Sequence, residues 1–225
     1  MIHSLYVEKG KGIMTSNLDF VGEQALHYLE QKHAARERAL PRSRSAIRHC
    51  ANSIRATHRH EFSTARQLLD EAGKLLSEIT NDLRANQDVF FAGFVQDAQK
   101  EFAEAATFLA LAQNQPLPLA SELAIDWPPY LNGLAEAVGE LRRYVLDQLR
   151  HANVEDSELY LGQMDDIYAL LTTIDFPDAV TGGLRRSTDV ARGILEKTRG
   201  DLTVAVGQAQ LQRSLLALQQ ELHKR

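Results

Sequence analysis

The chain has 225 residues, 44% hydrophobic, with only 13 Gly and 6 Pro, enough for one buried core and pointing to a globular, helix-rich domain. Its single cysteine, Cys50, excludes an internal disulfide and suits a reducing cytoplasm, and the lack of any apolar run of 18 residues argues against a membrane span. The formal net charge of −5 argues only weakly against a nucleic-acid partner, because the charge is segregated. Between residues 32 and 60 eight Lys/Arg face one acid, Glu37, and the remainder of the chain holds 17 basic against 29 acidic residues.

Residues 1–17 read as a disordered extension with no hydrophobic signal region, Met14 being an alternative start, and the folded domain is placed at 18–225. A first helix is predicted from about 18 to 60, with a bend at Pro41, which cannot donate the helical hydrogen bond. Leu40, Ile47, Ala51 and Ile54 share one face of it, and Cys50 also lies on an apolar face, which makes it core. Beside that face Arg36, Arg44, Arg48, Arg55 and Arg59 form a stripe across roughly 140° of the wheel. Arginines spaced by four repel one another, and a polyanion relieves that repulsion through the bidentate guanidinium–phosphate fork. A solvated charged face is the plainer alternative. His58 and His60, at the end of the helix, read as phosphate contacts or surface residues.

A second helix is expected over about 62–85, where Ala65, Leu68, Leu69, Ala72, Leu75, Leu76 and Ile79 recur at three and four, with Ser63 as its cap. A third runs from about 88 to 113 and carries the most informative residue, Glu101. On a helical wheel Phe90, Phe94, Ala105 and Phe108 fall within about 40° of it, with Glu104 and Asp97 beside it. A carboxylate among phenylalanines loses hydration, which costs several kcal/mol unless a cation or hydrogen bond compensates. Two explanations stand side by side: a salt bridge to an Arg on a neighbouring helix, or Glu101 and Glu104, at i and i+3, pointing together at a divalent cation.

Residues 113–129 hold four of the six prolines and form a loop between helices. The fourth helix, about 129–151, has an apolar face of Leu131, Leu134, Val138, Leu141, Val145 and Leu149, with Glu136, Glu140 and Asp147 on the opposite, acidic face. A fifth spans about 155–172, and the last runs from about 178 to 223 behind Pro177. Gly182 and Gly183 near its start suggest close approach of another backbone or a partner, and Leu211, Leu215, Leu218 and Leu222 form a seam for internal or inter-subunit packing. Nothing alternates with period two. The expected fold is all-α, a single-domain antiparallel bundle of about six to seven helices.

Several stretches together resemble the translin family, in particular the Trax-like members of prokaryotes. They are Met164-Asp165-Asp166-Ile167-Tyr168, the run from Phe176-Pro177-Asp178 through Gly182-Gly183-Leu184-Arg185-Arg186, and Thr198-Arg199-Gly200-Asp201-Leu202-Thr203. The basic first helix, Lys100-Glu101-Phe102-Ala103-Glu104-Ala105 and the segment from Tyr130 to Arg143 match as well, so the likeness covers about 18–222. The resemblance implies a hollow, typically octameric homo-oligomer that holds RNA or single-stranded DNA, with a translin-like subunit as a candidate companion. It implies an Mg²⁺-dependent endoribonuclease site, with Mn²⁺ as a substitute ion, whose motif positions fall on Glu101, Glu104, Glu136 and Glu140. Two positions depart from the family's pattern: Glu136 stands where Asp is common, and Lys100 where a neutral polar residue is usual.

The function expected is therefore hydrolysis of RNA phosphodiesters by a cytoplasmic oligomer, with a non-catalytic RNA- or single-stranded-DNA-binding shell as the alternative. A di-metal oxidase needs two Glu-x-x-His pairs, and the chain offers only Glu30 and His33. No histidine spacing suits zinc, and neither a Walker loop nor a dinucleotide fingerprint is present.

Overall fold

A stripe of small side chains decides how the bundle starts. Along α1 (Thr15–His58) the buried positions are Ala35, Ala39, Ser43, Ala46, Cys50, Ser53, Ile54, Ala56 and Thr57, while Leu40, Ile47 and Ala51 are half-buried. The face that meets the core is thus displaced from the one marked by the larger apolar residues, because alanines and hydroxyl groups let neighbouring helices come close. Ser53 donates to the Ala65 carbonyl at 2.8 Å and Thr57 to the Ser53 carbonyl at 2.9 Å, whereas the buried Ser43 hydroxyl has no partner among the described residues. Pro41 lies inside the helix, on an exposed position, and does not end it.

The computed structural model describes residues 15–151 and 153–223. The extension expected over 1–17 lies outside the described residues up to residue 14, and helix begins at Thr15. Among the described residues there is no strand, and the architecture is all-α. Six long helices carry it: α1, α2 (Phe62–Asp82), α4 (Gly93–Ala112), α6 (Trp127–Arg150), α7 (Val154–Thr172) and α9 (Leu184–His223). Single turns α3 (Gln87–Phe90), α5 (Ala120–Leu123) and α8 (Asp178–Thr181) link them.

Three expectations are corrected here. The third helix is interrupted at Phe91-Ala92, dividing α3 from α4. Ser63 is not a cap, since the N-cap of α2 is Glu61 and makes no side-chain cap hydrogen bond. The last helix breaks after α8, where Gly182 and Gly183 adopt φ of 63° and 85°. That left-handed backbone, not a tight contact, is what glycine serves there, because a Cβ on Gly182 would meet nothing closer than 3.7 Å.

In the bundle α1 packs on α2 and α4, α4 packs on α6, and α6 in turn packs on α7 and α9. Helix α4 is buried on every side from Phe102 to Ala112, as expected of a central helix, with Glu104 and Thr107 the polar residues in an otherwise apolar stretch. Asn132 of α6 ties the far end together, donating to the Pro128 and Thr181 carbonyls at 2.8 and 2.9 Å and accepting from Ser187 at 2.7 Å. The outer ends of α1 and α9 carry exposed apolar side chains. Leu18, Phe20, Leu26 and Leu29 lie on α1, and the whole seam of Leu211, Leu215, Leu218 and Leu222 is exposed on α9, so it is not packed internally.

A candidate carboxylate metal centre

The two acidic helices meet backbone to backbone. A Cβ at Gly133 of α6 would lie 2.6 Å from the Lys100 carbonyl and the Ala103 Cβ, and 2.9 Å from the Glu104 nitrogen. Only glycine permits this spacing, and it brings Glu136, less than one turn further along α6, across from Glu101 and Glu104 of α4. Gly133→Ala is expected to force the helices apart at a cost of about 1–3 kcal/mol or more. A thermal melt should show a loss on the order of 5 °C, and an unchanged midpoint would refute the close-contact role.

Carboxylate oxygens of Glu101, Glu104 and Glu136 all lie within 4.8 Å of one another. Glu104 is buried, and Glu101 is half-buried. Neither makes an ion pair or side-chain hydrogen bond among the described residues, where an Arg partner was the plainer expectation for Glu101. Burial first, then the charges of Glu101, Glu136 and Glu140, push the Glu104 carboxyl up to about 8. The Glu101 carboxyl is raised too, again mainly by burial and then by Glu136. These groups are short of positive charge.

The other two acids are engaged. Lys100 donates to Glu136 Oε1 at 2.7 Å. Burial opposes the charge on Lys100, but the bond to Glu136 and the charges of Glu136, Glu101 and Asp97 outweigh it and raise the ammonium pKa. Glu140 Oε2 is bonded to His58 Nε2 at 2.5 Å, with Arg143 at 3.9 Å. The His58 ring is buried against Phe108, at 4.6 Å between centroids, and its Nδ1 has no partner. An unpaired acceptor there costs less than an unpaired donor, which favours the tautomer with the proton on Nε2, donated to Glu140. His60, in left-handed backbone at φ 59°, brings Nδ1 within 3.0 Å of the Tyr144 hydroxyl.

Of the four glutamates singled out in the sequence, three converge and Glu140 is turned toward α1. Glu136 and Glu140, expected on the acidic face opposite the apolar one, are half-buried and paired with Lys100 of α4 and His58 of α1. His58 is corrected from a surface or phosphate contact to a buried partner of Glu140. Its signal was available in principle, since it falls one turn beyond the buried stripe at Ser53-Ile54. Gly133 was missed because a helical glycine carries no distinguishing pattern. Cys50 is fully buried beneath the same acids; burial, then the charges of Glu101 and Glu104, push its thiol far above the usual range.

The arginine stripe stands apart. Arg36, Arg44, Arg48, Arg55 and Arg59 are all exposed, and none pairs with the four glutamates. Arg36 pairs with Glu37 at 2.7 Å, Arg59 with Glu61 at 2.7 Å, and Arg55 donates to Asn52 at 2.5 Å. Arg44 and Arg48 have no ion pair among the described residues. Arg42, outside the stripe, is held by Asp82 and by Glu78 of α2, so part of the basic segment is neutralised within the fold.

An all-α bundle whose two central helices gather carboxylates on facing turns, beside a basic first helix, is the class that fold and site define. No family model matches the chain. The uncharacterized protein MJ0175 of Methanocaldococcus jannaschii is 33% identical over 199 residues, 86% of either chain. Among solved structures, AfC3PO, determined alone and as a complex with duplex RNA, is 34% identical with a TM-score of 0.75, over 81% of this chain and 95% of AfC3PO. Apo-NeC3PO, 20% identical, shares the fold at a TM-score of 0.73, over 87% of this chain and 100% of NeC3PO. The chain belongs to the translin family, as a Trax-like member.

Proposed function

We propose that the protein binds RNA and cleaves it with a divalent metal held by Glu101, Glu104 and Glu136. The observation that carries this is the convergence of those three carboxylates within 4.8 Å, two of them without an ion pair among the described residues. The donor set fits the ion: Mg²⁺ prefers carboxylate oxygen at 2.0–2.1 Å, so oxygens on opposite sides of one ion stand roughly 4.2 Å apart, within reach of this cluster. Mn²⁺ suits the same donors. Bound there, the ion would supply a Lewis acid that stabilises charge on phosphoryl oxygens and acidifies water. Glu101 and Glu104 would ligate from α4 and Glu136 from α6, all on rigid helices. His58 orients Glu140, one turn beyond Glu136 on α6, where it would serve to accept a proton from water.

The exposed arginines would hold the phosphate backbone without reading sequence. That AfC3PO was solved with duplex RNA supports this part of the reading. A double variant, Arg48→Glu with Arg55→Glu, is expected to weaken RNA binding at least ten-fold. It should also flatten the log–log salt dependence by about 1.4 for a single strand. Unchanged affinity and slope would remove the stripe from the interface.

No helix among the described residues is long and apolar enough to cross a membrane. The exposed leucine seam of α9 and the apolar outer part of α1 instead favour burial between copies of the chain, in the hollow homo-octamer that the family implies, with a translin-like subunit as a candidate companion. Native mass measurement tests the assembly. Labelled RNA or single-stranded DNA incubated with Mg²⁺ and then with EDTA tests the chemistry. A binding shell without cleavage is the second reading, favoured by the Lys100–Glu136 and His58–Glu140 pairs, which already engage two of the four acids; retention of intact RNA with and without metal would establish it.

A further inference from the structure

We propose that Lys100 is a resident counter-cation that limits this centre to a single divalent ion. The inference rests on the metal reading of Glu101, Glu104 and Glu136. Sites that use two ions set them roughly 3.5–4 Å apart and clamp both with shared oxygens, commonly a carboxylate that bridges. Here the oxygens a second ion would draw on are committed. Glu136 Oε1 accepts from the Lys100 ammonium at 2.7 Å, and Glu140 Oε2 accepts from His58 at 2.5 Å. What remains uncommitted in the cluster is the α4 pair and the second oxygen of Glu136, a ligand set for one Mg²⁺ that keeps several waters; the second oxygen of Glu140 is also free, but Glu140 is turned toward His58 and does not join the cluster.

Charge points the same way. Lys100 issues from the turn that carries Glu101, and its side chain is only 26% exposed, so its ammonium is partly withdrawn from solvent at the edge of the cluster. Repulsion between that ammonium and a dication is weakly screened in so sheltered a place. A first ion is drawn in by Glu101 and Glu104, which make no ion pair among the described residues and whose carboxyls stay raised despite the charge of Lys100 nearby. A second would have to displace Lys100 from Glu136 and then stand beside it. The ammonium therefore does for Glu136 what a second metal does elsewhere, neutralising and fixing it.

The test is Mn²⁺ binding to the metal-stripped full chain, by calorimetry and by electron paramagnetic resonance, on the wild type, Lys100→Gln and Lys100→Arg. The wild type and Lys100→Arg are expected to bind one ion per chain with the uncoupled six-line spectrum. Lys100→Gln should bind two, with an exchange-coupled spectrum. Two ions on the wild type overturn the proposal whichever variants fold. One ion on a folded Lys100→Gln also overturns it, while leaving the metal reading intact. Binding of no ion to the wild type overturns both.

Discussion

Glu101→Ala is expected to reduce Mg²⁺-dependent cleavage of a labelled RNA oligomer by more than about 100-fold. That is the upper range for removing a group that merely orients a ligand, and Glu101 is assigned as a ligand itself. The loss should fall on the chemical step. RNA affinity measured in EDTA should stay near the wild-type value, since the arginines that hold the backbone lie elsewhere on α1 and none pairs with Glu101. Metal affinity should fall in parallel with rate. Cleavage retained at the wild-type rate with a folded Glu101→Ala protein would remove the catalytic assignment. Equal losses of RNA affinity and cleavage would instead mark Glu101 as a structural acid whose removal disturbs the bundle.

The second large effect concerns stability without metal. Because the Glu104 carboxyl is raised from 4.5 to about 8 in the fold, the folded state binds that proton more tightly than the unfolded chain does. Its contribution is most favourable below about pH 4.5 and is lost progressively as pH rises toward 8, with Glu101 acting in the same direction. The metal-free protein should therefore melt lower at pH 8 than at pH 5.5. The difference is on the order of 2–3 kcal/mol, roughly 5–10 °C for a chain of this size. Glu104→Gln, which mimics the protonated acid, should flatten that dependence and raise the pH 8 midpoint. Mg²⁺ should raise it for the wild type and not for Glu104→Gln. A wild type and a Glu104→Gln variant with the same pH dependence in EDTA would refute the buried-acid account.

The sequence was most legible where period and chemistry agreed. The apolar repeats of α2 and α6 place their buried faces correctly, and the acids at 101, 104 and 136 lie on facing turns because two helices of regular pitch carry them. Legibility failed where the fold depends on small or hydroxyl-bearing side chains. The core face of α1 was read from Leu40 and Ile47, whereas alanines, serines and a threonine make the contact. Gly133 sets the α4–α6 distance, yet in the sequence it is one glycine among 13. The pairing of Glu140 with His58 joins positions 82 residues apart and could not be read from local spacing. The break at Gly182-Gly183 was marked by the right residues, but within the chain the reason is backbone dihedral and not a close-approaching backbone.

One buried atom has a practical use. The thiol of Cys50 is sealed beneath the acidic cluster and held in its protonated form, so it offers no thiolate to electrophiles or oxidants. A maleimide reagent added to the native chain therefore finds nothing to label. Any cysteine introduced on the exposed arginine face would be the sole reactive thiol, and a fluorophore placed there could follow a nucleic acid along α1 in an otherwise unmodified protein.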